Sequence, residues 1–266
     1  MAALPALICC ERCGVHVTRE RWLAALKTCV HCGYHFRIAP QDRISFHFDP
    51  GSFVSEVEPL QTTDPLQWID NGKPYPTLVA AARRKTSLVE SILIGSARLD
   101  GAAVHVGLFD FGFMGGTLGS VTGEYLVRLL ESAGESSQAV ILFTMSGGAR
   151  MQEGMHSLMQ MAKVAVALRR YQDSGGMLVT VLCDPTTGGV AASIGFMGDV
   201  VVAEPGALVG FAGPRVIVEA IGQELPEGFQ SAEHRVEQGL VDHVVERSRL
   251  RSFLSQCLTS AAVRSA

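Results

Sequence analysis

The sequence predicts an α/β layered domain with a largely parallel sheet, carried behind a short cysteine-rich module. Three observations predict it. From Ser91 onward, short apolar runs alternate with amphipathic helix patterns, the signature of strand–helix units stacked on one sheet. Two of those runs end in a glycine pair followed by small residues, as strand-to-helix turns do. Five of the seven cysteines fall within the first 32 residues, which makes them a local site rather than a disulfide framework spread along the chain.

The totals agree. A chain of 266 residues that is 47% apolar can bury a sizeable core, as one large domain or as one domain plus a small module. A net charge of −4 gives no global basic field for nucleic acid. No apolar stretch approaches the ~20 residues needed to span a bilayer. The N-terminal "MAALPALICC" is apolar, but it lacks a basic leader region and is too short for a signal sequence. The expectation is a cytoplasmic protein without a membrane span.

The first element is Cys10-x2-Cys13-x15-Cys29-x2-Cys32. Each CxxC knuckle offers two thiolates, and four thiolates close a tetrahedral Zn2+ site with no open position, so the metal's role is structural. Cys9 is an extra thiol beside that set. Arg12, Arg19, Arg21, Lys27 and Arg37 give this ribbon some positive charge, so it can either meet nucleic-acid phosphates or brace the main domain. Without aromatic interleaving or a long basic run, bracing is favoured. Residues 1–40 are assigned to the ribbon and 41–266 to the main domain.

Within the main domain, "SILIGSARLDGAAVHVGLFDF" reads as two strands joined at Asp100-Gly101. An amphipathic helix follows, with Leu126, Leu129, Leu130 and Ala133 on one face. Ala139 to Phe143 is a buried strand. Met151 to Tyr171 reads as a long helix with Leu158, Met161, Ala165 and Leu168 on one apolar stripe. Met177 to Cys183 is a strand, Val190 to Met197 a small-residue helix, and "DVVVAE" a further strand. "GPRVIVEAIGQ", "SAEHRVEQGL" and the segment from Arg249 read as helices.

The glycine pairs Gly147-Gly148 and Gly188-Gly189 each place backbone amides at the C-terminal end of a strand and the start of a helix. Such amides suit an anion or a developing oxyanion. Neither stretch ends in the Lys-Ser/Thr of a Walker loop, and "TMSGG" around Ser146 is not a nucleophile elbow. Cys183 reads as a buried apolar residue, and His156, His234 and His243 as structural histidines. A site rich in amides and poor in side-chain bases suits chemistry on thioester enolates, where charge on the carbonyl oxygen must be stabilised.

"FDFGFMGGTLGSVTGEYLVRLLE", "SGGARMQEGMHSLMQMAKVAVAL", "DPTTGGVAASIGFMGDVVVAEPGALVGFAGPRVI" and "LPEGFQSAEHRVEQGLVD" resemble the beta subunit of the bacterial and plastid acetyl-CoA carboxylase carboxyltransferase. The likeness runs from Cys10 to about Val245 and includes the four-cysteine ribbon. It implies a crotonase-type (ClpP/crotonase-like) superhelix of ββα units behind a zinc ribbon. It implies transfer of a carboxyl group from carboxybiotin, on a biotin carboxyl carrier protein, to acetyl-CoA, giving malonyl-CoA for fatty acid synthesis. The implied assembly is α2β2 with the carboxyltransferase alpha subunit, alongside biotin carboxylase.

By the same resemblance, Gly147, Gly148, Gly188 and Gly189 are the oxyanion-binding turns. Cys10, Cys13, Cys29 and Cys32 are the zinc ligands. Gly115, Gly116 and Gly213 shape the pocket and the subunit interface, while Arg150 and Arg215 fix turns or contact CoA phosphates. The lead before the first CxxC is short and residues 58–88 are only loosely similar. A pathway-specific paralogue acting on another acyl-CoA or carrier-bound acyl group therefore stays open, as does a nucleic-acid-binding regulator.

Overall fold

A computed structural model describes residues 7–264, apart from the side chains of Pro214, Arg215 and 261–264. The chain begins with an antiparallel hairpin, β1 (Leu7–Cys9) and β2 (His16–Thr18), whose last residue caps helix α1 (Arg19–Ala24) through the Thr18 hydroxyl. Helix α2 (Pro40–His47) follows, started by a proline at its first position, where the missing N–H costs nothing. The short strands β3 (Val54–Ser55), β4 (Ile69–Asp70) and β5 (Lys73–Pro74) precede α3 (Tyr75–Thr86).

The expected hairpin is β6 (Ile92–Leu99) and β7 (Ala102–Phe109), with Asp100 at φ 49° and Gly101 at φ 84°, the two positive angles that a two-residue turn demands. Then come α4 (Ser120–Glu135), β8 (Ala139–Ser146), α5 (Met155–Asp173) and β9 (Leu178–Thr187). A single turn, α6 (Gly188–Val190), runs on as a π-turn over Ala191–Gly195. The remainder is β10 (Val200–Ala203), β11 (Val209–Gly210), α7 (Pro214–Ile221), α8 (Ala232–Glu237), β12 (His243–Val244) and α9 (Arg247–Arg264).

One eight-stranded sheet runs in the order β12-β10-β9-β8-β7-β6-β3, with β11 also paired to β9. The strands from β12 to β7 are parallel; β6 and β3 are antiparallel additions at one side. β8 and β9 are buried along nearly their whole length because both sheet faces are covered. Successive residues point to opposite faces. Leu142 therefore meets Leu129 of α4 beside Gly107, while Phe143 stacks on His47 of α2. Leu250 and Leu254 of α9 join the same core.

The ribbon is tied to this domain through Glu204. Arg43 donates to both Glu204 oxygens (3.1 and 3.0 Å), and so does Arg247 (2.7 and 3.0 Å). Arg247 also donates to the carbonyls of Leu26, Lys27 and Phe36 in the ribbon. Burial works to raise the Glu204 pKa, but the two guanidiniums hold it well below the usual carboxylate range.

Two expectations need correction. The helix expected over Met151 to Tyr171 is broken at Gly154 (φ 53°), and its inward face is Ser157, Val164, Ala167, Leu168 and Tyr171. Leu158, placed on one stripe with Leu168, is 44% exposed, and Met151, Met155, Met159 and Val166 are exposed too, while Leu168 is fully buried. The helix carries apolar residues on two sides, and periodicity alone does not say which side the domain itself covers.

Candidate active site

The four ribbon cysteines converge, with every sulfur within 4.8 Å of the others. Cys10 and Cys32 lie 3.7 Å apart, and Cys13 and Cys29 3.8 Å. Four sulfurs at ~2.3 Å from one tetrahedral ion are spaced by about 3.8 Å, so the donor set fits such an ion. Burial raises the Cys29 thiol, but the amides of Cys32 and His31 and the neighbouring thiols bring it down to about 6. The Val15 amide pulls Cys13 down, while burial and the other three thiols push it up to about 12. Cys13 therefore resists ionisation unless a cation sits beside its sulfur. Cys9 is exposed and points to the carbonyl of Gly14, outside the set.

The two glycine turns meet in space, which explains why both need glycine. A Cβ on Gly188 (φ 59°) would lie 2.9 Å from the Cα of Gly148, and one on Gly148 (φ 117°) 3.1 Å from the Cα of Gly188. Backbone packs against backbone here, leaving no space for a side chain.

Their hydrogen bonds refine the expected donor set. The Gly147 amide donates to the Gly115 carbonyl (2.8 Å), the Gly148 amide to Ser146 Oγ (3.0 Å) and the Gly188 amide to the Phe211 carbonyl (2.8 Å). Three of the four expected donors are thus engaged within the chain. Gly189 lies in the first turn of α6, where amides have no intrahelical acceptor. Beside it stands Ala149, whose nitrogen is 3.4 Å from where a Gly189 Cβ would be. Leu118 pairs with the peptides on both sides of Ala149, accepting from Arg150 and donating to Gly148. That bridge leaves the Ala149 amide itself without an acceptor among the described residues. Ala149 carried no sequence signal, because its role comes from the direction of one peptide. Two free amides from two turns make the kind of donor pair that stabilises an oxyanion.

Beneath the first turn lies a fully buried polar cluster. Arg150 donates to Glu90 Oε1 (2.5 Å) and Oε2 (3.0 Å), to the Thr117 carbonyl (2.8 Å) and hydroxyl (3.1 Å), and to Tyr75 Oη (3.2 Å). Glu153 accepts from Tyr75 Oη (2.6 Å) and from both the amide and hydroxyl of Ser120 at the start of α4. Of the two roles expected of Arg150, this geometry matches fixing the turn. A guanidinium with no exposed surface and five partners has nothing left for a phosphate. Glu90 and Tyr75 escaped sequence reading because they come from segments far from Arg150, while Glu153 lies only three residues on and carried no signal of its burial.

Gly115 supplies the carbonyl for Gly147, and Gly116 passes so close to Met145 that a Cβ would lie 2.0 Å from its carbonyl oxygen. Gly213 caps α7 in open space, and the side chain of Arg215 lies outside the described residues. Cys183 is fully buried, and burial pushes its thiol up to about 12, so it is no nucleophile. His156, His234 and His243 lie on α5, α8 and β12, and the His234 ring accepts from the Gln230 amide. Of the turn residues, Gly147 is exposed, Ala149 and Gly188 are half-buried and Gly189 is buried, while Met151, Met155, Met159 and Phe211 are 56–73% exposed.

The carboxyl transferase domain family model matches residues 39–260, most of the chain. The chain belongs to the carboxyl transferase family. It is 48% identical over 233 residues to the acetyl-coenzyme A carboxylase carboxyl transferase subunit beta of Synechococcus sp. (strain JA-3-3Ab), covering 87% of this chain and 74% of that one. It is 43% identical over 249 residues to the subunit of the same name from Wolinella succinogenes, covering 94% and 86%. Among solved structures it superposes on a Pseudomonas malonate decarboxylase hetero-tetramer (TM-score 0.69, 21% identity, 84% of this chain and 82% of that one). It also superposes on transcarboxylase 12S (TM-score 0.68, 22% identity, 90% and 42%). The expected crotonase-type α/β fold therefore stands, and the chain is an enzyme of the transferase class.

Proposed function

We propose that this chain is the beta half of an acetyl-CoA carboxylase carboxyltransferase, working in the cytoplasm with an alpha chain in an α2β2 assembly. It takes its carboxyl group from biotin on a carrier protein that a biotin carboxylase loads. The observation that carries this reading is the adjacent pair of amides, Ala149 and Gly189, that find no acceptor among the described residues where the two glycine turns meet. Carboxylated biotin supplies the carboxyl group. The chain's own part is to hold the acetyl-CoA thioester and to meet the growing negative charge on its carbonyl oxygen with those amides. Gly147, Gly148 and Gly188 act as the frame that aims them, with Gly115, Gly116 and Arg150 behind the frame.

The ribbon, residues 1–40, holds one structural zinc ion on Cys10, Cys13, Cys29 and Cys32 and braces the domain formed by 41–266. The family match beginning at residue 39 supports that division. Bracing is favoured over nucleic-acid binding because Lys27 pairs with Asp42 (2.5 Å) and Arg37 with Asp184 (3.1 Å), leaving a smaller basic face at Arg12, Arg19 and Arg21. The exposed stripe of Met151, Met155, Leu158, Met159 and Val166 supports a partner chain on this side, since nothing else among the described residues covers it.

The test is assembly with the alpha chain followed by carboxyl transfer from malonyl-CoA to biocytin. Transfer is expected only from the mixed assembly, and Gly188→Ala is expected to lower it by about 10²-fold, the loss seen when one oxyanion donor is displaced. Assembly with undiminished transfer by the Gly188→Ala protein would refute the site. A complex of wild-type chains that assembles but acts only on another acyl thioester would make this the paralogue instead.

A further inference from the structure

We propose that Arg37, the basic residue at the end of the cysteine ribbon, is a positioning residue for the Gly189 amide; the inference rests on the reading of the glycine turns given above. Arg37 Nε donates to the Asp184 carbonyl (3.2 Å) and carboxylate (3.3 Å), and Nη2 to the same carboxylate oxygen (3.1 Å). Its guanidinium also lies 4.5 Å from the centre of the Phe111 ring, at the end of β7. The ribbon is thereby fastened to the segment two residues past β7 and to β9 three residues before its end, on the side of the sheet where open α/β sheets build their sites.

Asp184 passes that hold onward. Its second carboxylate oxygen accepts from the Leu208 amide (3.0 Å), the Leu208 carbonyl accepts from Thr186 (2.8 Å), and the Phe211 carbonyl accepts from Gly188 (2.8 Å). β9 and β11 are laced together through these rungs, and the last rung lies one residue before Gly189. The fork of Arg37 grips the first rung. A shift there is carried along a short backbone ladder to the Gly189 amide.

Stability gives no sufficient reason for this pair. The Arg37 side chain is 48% exposed and that of Asp184 25%, and surface ion pairs of this kind add little to folding. Domain and ribbon are already joined by the buried Arg43–Glu204–Arg247 cluster. What the Arg37 contact adds is direction at one strand end, and small misplacements of catalytic groups are costly to rate.

The test uses the enzyme assembled with its alpha chain, measuring metal content, thermal midpoint, kcat and KM for malonyl-CoA. Arg37→Met is expected to lower kcat about tenfold, by the steep dependence of rate on alignment. KM, metal content and thermal midpoint should stay near wild type. Arg37→Lys keeps the charge but not the fork and is expected to fall between. Asp184→Asn keeps the Leu208 acceptor and loses the ion pair; combined with Arg37→Met it should be no worse than Arg37→Met alone. Wild-type kcat in Arg37→Met, while Gly188→Ala lowers transfer about 10²-fold, overturns the inference and leaves the site standing. Additive losses in the double variant also overturn it. Undiminished transfer by Gly188→Ala refutes the site itself, and the inference with it.

Discussion

Replacing Arg150 by methionine separates the two roles that its position suggests, a holder of the first glycine turn or a phosphate contact. Arg150 is fully buried, and its removal leaves the Glu90 carboxylate, also without exposed surface, stripped of its countercharge. Breaking a buried pair in this way costs about 3–5 kcal/mol. For a chain of this size each kcal/mol moves the midpoint by about 2–4 °C, so a fall of roughly 6–20 °C is expected. The compensating change, Glu90→Gln together with Arg150→Met, removes both charges and should recover a good part of that loss. Activity should fall with stability, because the Arg150 amide is half of the bridge to Leu118 that directs Ala149. The measurements are thermal unfolding of the assembled enzyme and kcat and KM for malonyl-CoA. A variant with wild-type stability and a KM raised tenfold or more would refute the turn-holding argument and restore the phosphate contact.

Four further outcomes are expected. Gly147→Ala should leave the fold unchanged, since its Cβ meets only the Gly115 carbonyl at 3.6 Å; a midpoint lowered by more than a few degrees would contradict the packing. His47 is buried and both its ring nitrogens lack a partner among the described residues; burial, reinforced by the Arg43 guanidinium, holds its pKa down to about 3. Because the unfolded chain binds that proton first, His47 erodes stability as pH falls from about 6.5 toward 3, by up to ~1.4 kcal/mol per unit. His47→Phe keeps the stack on Phe143 and should flatten that acid limb in denaturant titrations. Met155→Glu with Met159→Glu should abolish assembly with the alpha chain in sedimentation while leaving this chain folded, because both side chains are more than half exposed. Metal removal with a strong chelator should loosen the amides of residues 26–37 in hydrogen exchange, and an unchanged exchange pattern would refute the structural role of the thiol quartet.

The elements legible in sequence were those whose signal is local. The Asp100-Gly101 hairpin, the buried strand before each glycine pair and the inward face of α4 follow from turn chemistry and side-chain period over a few residues. The cysteine spacing was enough to bring four thiols together. The inward face of α5 was misread because Leu158 and Met159 are as apolar as Val164 and Leu168, and only packing divides them into a covered side and a bare one. Arg150 was read as open to two roles, and its burial among Glu90, Thr117 and Tyr75 favours the turn-holding one that Arg150→Met tests.

What the sequence determined by itself was therefore the kind of parts: a four-thiol ribbon, strand-to-helix glycine turns and a parallel α/β sheet to carry them. Which amides stay free was decided only by the tertiary structure. Gly147, Gly148 and Gly188 find acceptors in Gly115, Ser146 and Phe211, while Ala149 and Gly189 find none among the described residues. The reason is geometric. A turn's residues are written in the chain, but the direction of each peptide is set by what packs against it from segments far away, and oxyanion chemistry depends on that direction.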